Sequence, residues 1–197
     1  MTKNFNITAA DIMAIEEYAR VRSDSRKRVT EIKRDRRVSV GPDATFYFES
    51  YETMWHQIHE MLHIEGGGAE QIPGELEAYN PLVPKGDELV ATLMFEIDDP
   101  ERRARVLAGL GGVEETVSLT FDGHAVPARA EEDIDRTTAE GKASSIQFLH
   151  FPFTTEQITA FRQPGAQITL GIRHPAYGHM AVLPEAVRSA LSGDFAD

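Results

Sequence analysis

The chain has 197 residues, no cysteine, and 20 Lys and Arg against 32 Asp and Glu, for a net charge of −12. The length suits one domain, and the lack of cysteine excludes disulfides, thiolate-bound metal, iron–sulfur ligation and a cysteine nucleophile. The acidic balance disfavours nucleic acid or an anionic membrane as a partner of the whole protein, and no apolar run reaches the roughly 18 residues of a membrane span.

The opening MTKNFNITAADI lacks the apolar core and small-residue cleavage site of a secretory signal, so a cytoplasmic location is expected. Thr8, with Asp11 three residues on, reads as a helix start. Ile12, Ile15, Ala19, Val29 and Ile32 then recur at helical spacing and predict one long helix over about 9–36. Its charge is unlike that of the rest. Residues 20–37 hold nine basic and three acidic side chains, a net of +6, leaving 11 basic and 29 acidic elsewhere, a net of −18. At about 100° per residue, Arg22, Arg26, Lys33, Arg36 and Arg37 share the arc of Ile15 and Val29, while Arg20, Lys27, Arg34, Asp24 and Glu31 fall on the other side. Basic side chains on an inward arc need carboxylate partners or line a cleft that takes an anion.

A short strand at 38–40, a Gly41-Pro42-Asp43 turn and a second short strand at 46–48 come next. A helix is predicted over 51–65, stopped by Gly66-Gly67-Gly68. Met54, Trp55, Ile58, Met61 and Leu62 form its apolar face; Glu52, His56, His59, Glu60 and His63 share the opposite side, where solvent is the default. Residues 69–87 read as a loop-rich connection, with a short helix at 74–78, between a helical region at 1–68 and a sheet region at 88–197. From Leu89 the period changes to two: Leu89, Ala91, Leu93, Phe95 and Ile97 alternate as a strand. Asp98-Asp99-Pro100 then begins a helix to about 110. Val117, Leu119 and Phe121 alternate up to Asp122-Gly123, a two-residue hairpin signal, and Pro127 marks the returning strand as an edge. Beyond a polar loop at 131–142, a strand at 146–151, a helix at 154–162, a strand at 167–172, a turn at 174–179 and a final helix at 184–191 are expected. The fold class is therefore α+β: long N-terminal helices packed on a mainly antiparallel sheet of four or five strands with short helices.

Four groups of residues carry chemistry. His59-Glu60-Met61-Leu62-His63 has the HExxH form, and with His56 it places three histidines and Glu60 on one helical face as candidate ligands for iron, manganese or zinc. His150, His174 and His179 are sources of a further ligand. The second group is a charged network in which Arg22, Arg26 and Lys33 face Glu49, Glu60 and Glu65, read either as ion pairs between helices or as a cleft for an anionic molecule. The third is the polar loop, whose Arg136 and Lys142 could meet an anion; Arg136 stands where GxxxxGK[ST] needs glycine, which excludes a nucleotide loop. The fourth, His174-Pro175-Ala176-Tyr177 with His179, reads as a turn that caps backbone groups or as a source of a proton carrier. No serine elbow and no GxGxxG fingerprint is present.

Ile7-Thr8 with Asp11, the run 18–22, Arg36-Arg37 with Val40-Gly41-Pro42, Phe48-Glu49, Gln57-Ile58, Glu60-Met61 and Glu65 form a signature. It continues through Tyr79-Asn80-Pro81, Leu89 with Ala91-Thr92, Glu96 with Asp98, Arg136, Gly141-Lys142 with Ser144, His174-Pro175 and Tyr177. In these residues the chain resembles an uncharacterised bacterial family, domain of unknown function 3501. The resemblance implies a setting among rubrerythrin-like and iron–sulfur oxidoreductase proteins, and hence oxidative-stress or redox physiology. It weights Gln57, Glu60 and Glu65 over His59 and His63.

These readings support an accessory protein that binds a small anionic ligand or a protein partner through Arg22, Arg26, Lys33, Glu49, Gln57, Glu60 and Glu65, with Arg136 and Lys142 contributing. The alternative is a metal-dependent enzyme centred on His56, Glu60 and His63. A third reading is a homodimer with a seam through Trp55.

Overall fold

The computed structural model describes residues 4–131 and 142–196. The Thr8–Asp11 capping box forms, but it closes only a 3-10 turn, Ala9–Asp11. Helix α1 begins later, at Ile15–Arg34, after an extended Ala14. The reason lies in α2, Tyr51–Glu65. A continuous helix would direct the Met13 N–H to the carbonyl of Ala9. That N–H instead donates to His59 Nε2 at 3.0 Å, and the Trp55 indole N–H takes the Asp11 carbonyl at 2.8 Å. Two side chains of α2 thus pull the chain out of helix.

Strands β1 (Arg37–Val40) and β2 (Ala44–Phe48) form a hairpin. After α2, helix α3 (Ile72–Tyr79) leads to β3 (Glu88–Phe95). Helix α4 (Pro100–Ala108) has Asp99 as its cap, accepting the Arg102 N–H. The second half holds β4 (Val117–Phe121), β5 (His124–Pro127), β6 (Arg129–Ala130), β7 (Ile146–Pro152), α5 (Thr155–Arg162), β8 (Thr169–His174), β9 (Tyr177–Val182) and α6 (Glu185–Ser192). All strand pairs are antiparallel. The expected single sheet of four or five strands is two: a five-stranded sheet ordered β1-β2-β3-β7-β6 and a four-stranded sheet ordered β5-β4-β8-β9. β2 pairs along its whole length with β3, so the N-terminal hairpin is sheet edge rather than an annex of the helices. β5 lies at an edge, as Pro127 requires. Strand β9 occupies part of the segment expected as a turn. Most of its residues are exposed, so neither face carries the apolar alternation from which a strand is recognised.

Alternate residues of both sheets, including Val38, Phe46, Leu89, Leu93, Leu119, Leu149 and Leu170, fill one apolar cluster. A second cluster sits on the other face of the five-stranded sheet, where Met54, Ile58 and Leu62 of α2 meet Val90, Ile7, Leu82 and Val83. β3 serves both, sending Leu89, Ala91 and Leu93 one way and Val90 the other. The apolar face of α2 is thus fixed on the sheet, which leaves its opposite face for α1. Among the described residues no helix is long and apolar enough to cross a membrane.

Tyr177 joins the sheets. Its hydroxyl donates to the Val40 carbonyl and accepts from the backbone N–H groups of Asp43 and Ala44, each at 2.9 Å. Gly41 in this turn has φ of 72°, and a Cβ there would lie 2.6 Å from the His179 ring. Asp43 is held by a two-pronged Arg102, at 2.8 and 2.7 Å. His174 Nδ1 accepts the Ala176 N–H at 3.2 Å and caps the β8–β9 turn. Val40, Gly41, His174 and Tyr177 of the signature are therefore accounted for by how two turns are pinned.

Candidate functional site

The histidine face of α2 points at α1, not at solvent. His56 and His59 are 9% and 2% exposed. The expectation of a solvated face fails because a helix between a sheet and a second helix has two buried sides, and charge patterning alone cannot name the second cover. The spacing explains the match: Tyr18, Arg22 and Ser25 stand at i, i+4 and i+7 on α1, as do His56, Glu60 and His63 on α2. The helices run in opposite directions, so that Arg22 meets Glu60 and Ser25 meets His56.

Arg22 donates to both oxygens of Glu60, Nε to Oε1 and Nη2 to Oε2, at 2.8 Å each. The Tyr18 hydroxyl donates to Oε1 at 2.8 Å. His56 Nδ1 lies 2.9 Å from Ser25 Oγ and 3.1 Å from Tyr18 Oη. Arg22 holds the Glu60 carboxyl down to about 2, against the contrary effect of burial and with help from Tyr18. Burial pushes the Tyr18 hydroxyl up, and Glu60 adds to it. Burial also lowers the His56 pKa; Glu60 opposes this, while Lys33, His59 and Arg26 assist it.

His59 is fixed from both ends. Its Nδ1–H donates to the Trp55 carbonyl at 2.7 Å and Nε2 accepts the Met13 N–H at 3.0 Å. This is the neutral Nδ1–H tautomer, and burial lowers its pKa despite the Trp55 carbonyl. Its ring lies 3.9 Å from that of Trp55 and 4.8 Å from that of Tyr18. A metal could bind His59 only by taking a nitrogen from one of these bonds. His63 differs: its Nδ1 is buried with no hydrogen-bond partner among the described residues. Among the described residues no group of three or more His, Asp or Glu side chains is arranged to hold a metal ion. His150 is held by Glu88 at 2.9 Å and Glu131 at 3.6 Å. Burial is the largest single influence on it and lowers its pKa, but the two carboxylates together raise it. His179 packs on Tyr177.

The charged network forms only in part. Of Glu49, Glu60 and Glu65, only Glu60 meets an arginine of α1. Glu49 is buried at the end of β2, where its carboxylate accepts the hydroxyls of Thr53 and Thr92 at 2.7 and 2.8 Å. Glu65, exposed in the last turn of α2, takes the amide of the half-buried Gln71. Arg26 and Lys33 are exposed, as is Lys142, and Gln57 is half-buried. Arg136 lies outside the described residues. Arg36 is buried and serves the Phe48 and Glu49 carbonyls, at 3.0 and 2.7 Å, and Asp194. Tyr18 and Ser25 were missed by charge-based reasoning, being uncharged; their spacing on α1 was the available signal.

Two grooves flank α1. One, of about 740 Å³, is lined by Ala19, Arg22, Ser23, Arg26, Lys27, Thr30, Glu31 and His63. The other, of about 570 Å³, is lined by Met13, Val21, Asp24, Ser25, Arg28, Val29, Tyr51, Glu52 and Trp55. One helix thus separates a mainly basic groove from a mainly apolar one.

Residues 6–195 match the model of a family described as protein of unknown function, DUF3501. No curated protein matches. A solved structure, described as a novel protein of unknown function from Burkholderia pseudomallei K96243, is 36% identical, with a TM-score of 0.89 over 97% of this chain and 100% of that one.

Proposed function

Since the chain belongs to the DUF3501 family, whose description assigns no activity, its own surface must carry the reading, and we propose that it is an accessory protein binding a small anionic ligand in the basic groove beside α1. The observation that carries this is local charge. Arg22, Arg26, Lys27 and His63 line the groove with Glu31 as the one carboxylate among its lining residues, in a chain of net charge −12. Like charges kept together in an acidic protein raise the local concentration of anions. Arg26 is exposed, and among the described residues no carboxylate holds it as Glu60 holds Arg22. Ser23 and Thr30 add hydroxyls, although Thr30 already donates to the Arg26 carbonyl. Lys27 is shared with Asp24 at 3.3 Å, both side chains being exposed, so that pair is readily exchanged for a ligand.

A cytoplasmic setting in redox physiology and an oxidoreductase partner of rubrerythrin-like or iron–sulfur type belong to the same proposal. They rest on the family resemblance rather than on the groove. Titration calorimetry with inorganic phosphate and with citrate tests the groove itself. Binding that weakens with added salt and disappears in Arg26→Gln/Lys27→Gln supports it, and unchanged binding in that variant contradicts it.

A metal centre on His56, Glu60 and His63 has one observation in its favour, the unpartnered His63 Nδ1. The donor set fits it poorly. Glu60 would have to leave Arg22 and Tyr18, and His56 Nδ1 is engaged with Ser25. The anion reading leaves every one of these bonds in place.

A further inference from the structure

The apolar groove has a chemical feature that the basic one lacks. Tyr51, Trp55, Met13, Val21 and Val29 give it an aromatic and aliphatic lining, and Ser25 opens onto it. Its volume of about 570 Å³ is in the range of small-molecule sites, as is a mainly apolar lining with a few polar groups. A serine within a helix commonly bonds a carbonyl one turn back. Ser25 instead lies 2.9 Å from His56 Nδ1. His56 is buried behind it and is not part of the groove lining.

Beyond His56 the chain of contacts continues. Tyr18 Oη is 3.1 Å from the same nitrogen and gives its own proton to Glu60 at 2.8 Å. The Tyr18 oxygen therefore turns lone pairs towards Nδ1. With the ring proton on Nε2, Nδ1 can take the Ser25 proton, and the Nδ1–H so formed finds its acceptor in the Tyr18 oxygen, backed by a carboxylate that Arg22 keeps ionised. Ser25 and Tyr18 thus meet on one imidazole nitrogen, with the Glu60 carboxylate behind the phenol, and of these four side chains Ser25 is the one that lines the apolar groove. This is the arrangement of a nucleophile, its base and a group that receives the base's charge.

We propose that Ser25 is a nucleophile towards carboxylic esters whose apolar part lies along Tyr51 and Trp55, with His56 as its base. Ser25 Oγ attacks the ester carbonyl carbon while its proton passes to His56 Nδ1. The carbon–oxygen bond to the alcohol breaks, and the alcohol leaves with that proton. Water then attacks the acyl-serine, gives a proton to His56 and releases the acid, and Oγ regains the proton. Arg28, three residues on along α1 and also lining the groove, is the cation available to the carbonyl oxygen. Burial keeps His56 in the neutral form that a base requires. Tyr18 and Glu60 are positioning residues. This groove lies on the opposite flank of α1 from the basic one, so neither proposal depends on the other.

The test uses the full chain with an octyl fluorophosphonate, located by peptide mass mapping, and with p-nitrophenyl butyrate. One adduct on Ser25 is expected, together with ester hydrolysis that Ser25→Ala abolishes. His56→Gln should slow labelling about 100-fold, the scale of general-base catalysis. Tyr18→Phe should move the midpoint of the pH–rate profile, which a purely structural hydroxyl would not do. The groups acting on His56 in that profile are Ser25 and Tyr18 at contact, with Glu60, Lys33, His59 and Arg26 acting through charge. Should His56→Gln fail to fold, Val21→Glu decides, because Val21 is 39% exposed on the groove and a charge there opposes an apolar ligand. No adduct on Ser25, no hydrolysis above that of Ser25→Ala, or labelling as fast in His56→Gln or in a folded Val21→Glu as in the parent overturns the assignment.

Discussion

Arg22 and Glu60 meet through two parallel hydrogen bonds of 2.8 Å, and the Tyr18 hydroxyl closes on the same carboxylate. The pair is the charged centre of the α1–α2 contact. It is also the boundary between a buried relay and an open groove, since Arg22 lines that groove while Tyr18 is 1% exposed.

Removing the Tyr18 hydroxyl should therefore cost stability out of proportion to one oxygen atom. Tyr18→Phe keeps the ring contacts with His59 and Trp55 but removes a donor from Glu60 and a neighbour from His56. A loss of about 1–3 kcal/mol in urea unfolding is expected, the cost of leaving buried polar groups short of a partner. A loss of a few tenths would show that water replaces the hydroxyl.

Two acid transitions should be separable. His56 and His59 have pKa values lowered by burial, so the folded state resists a proton that the unfolded chain takes up. Their contribution is present above the ordinary histidine pKa of about 6.5 and declines as pH falls below it. Glu60 is held at about 2, so its contribution is present above the ordinary glutamate value of about 4.3 and is lost as pH falls from there towards 2. Thermal melts should decline in both windows. His59→Gln should flatten the upper one and Glu60→Gln the lower one.

At Gly41 two effects add. An alanine would take φ of 72° and set its Cβ against His179 and Tyr177. Gly41→Ala should destabilise by more than about 1 kcal/mol. Tyr177→Phe should cost about 2 kcal/mol or more, because Val40, Asp43 and Ala44 each lose a partner. Glu65→Ala is the contrasting case: its partner Gln71 is bonded at the exposed end of α2, and a change within about 0.5 kcal/mol is expected.

What the sequence disclosed depended on whether one local signal decided the matter. The end of α2 did: Gly66 takes φ of 68° as its cap, a conformation that glycine adopts without strain. The Asp122-Gly123 hairpin did too, with φ of 45° and 76°. β3 was legible because one of its faces is wholly buried. The break before α1 was not, because Trp55 and His59 cause it from 44 and 46 residues away. Arg36 was rightly placed among inward-facing side chains, but its carboxylate partner, Asp194, lies 158 residues on. In the site, the HExxH string marks the face of α2 that packs on α1. Glu60 holds α1 through Arg22 and Tyr18, and His59 is a buried spacer that ties down Met13.

Amide shift mapping during titration with inorganic phosphate tests whether the basic groove beside α1 binds an anion. Saturable shifts confined to residues 19–31 and His63 are expected, reversed by about 0.5 M salt as for an exposed charged site and absent from Arg26→Gln/Lys27→Gln. Shifts centred elsewhere, for instance on the exposed Arg105 of α4, or shifts that persist in that variant, would contradict anion binding in this groove.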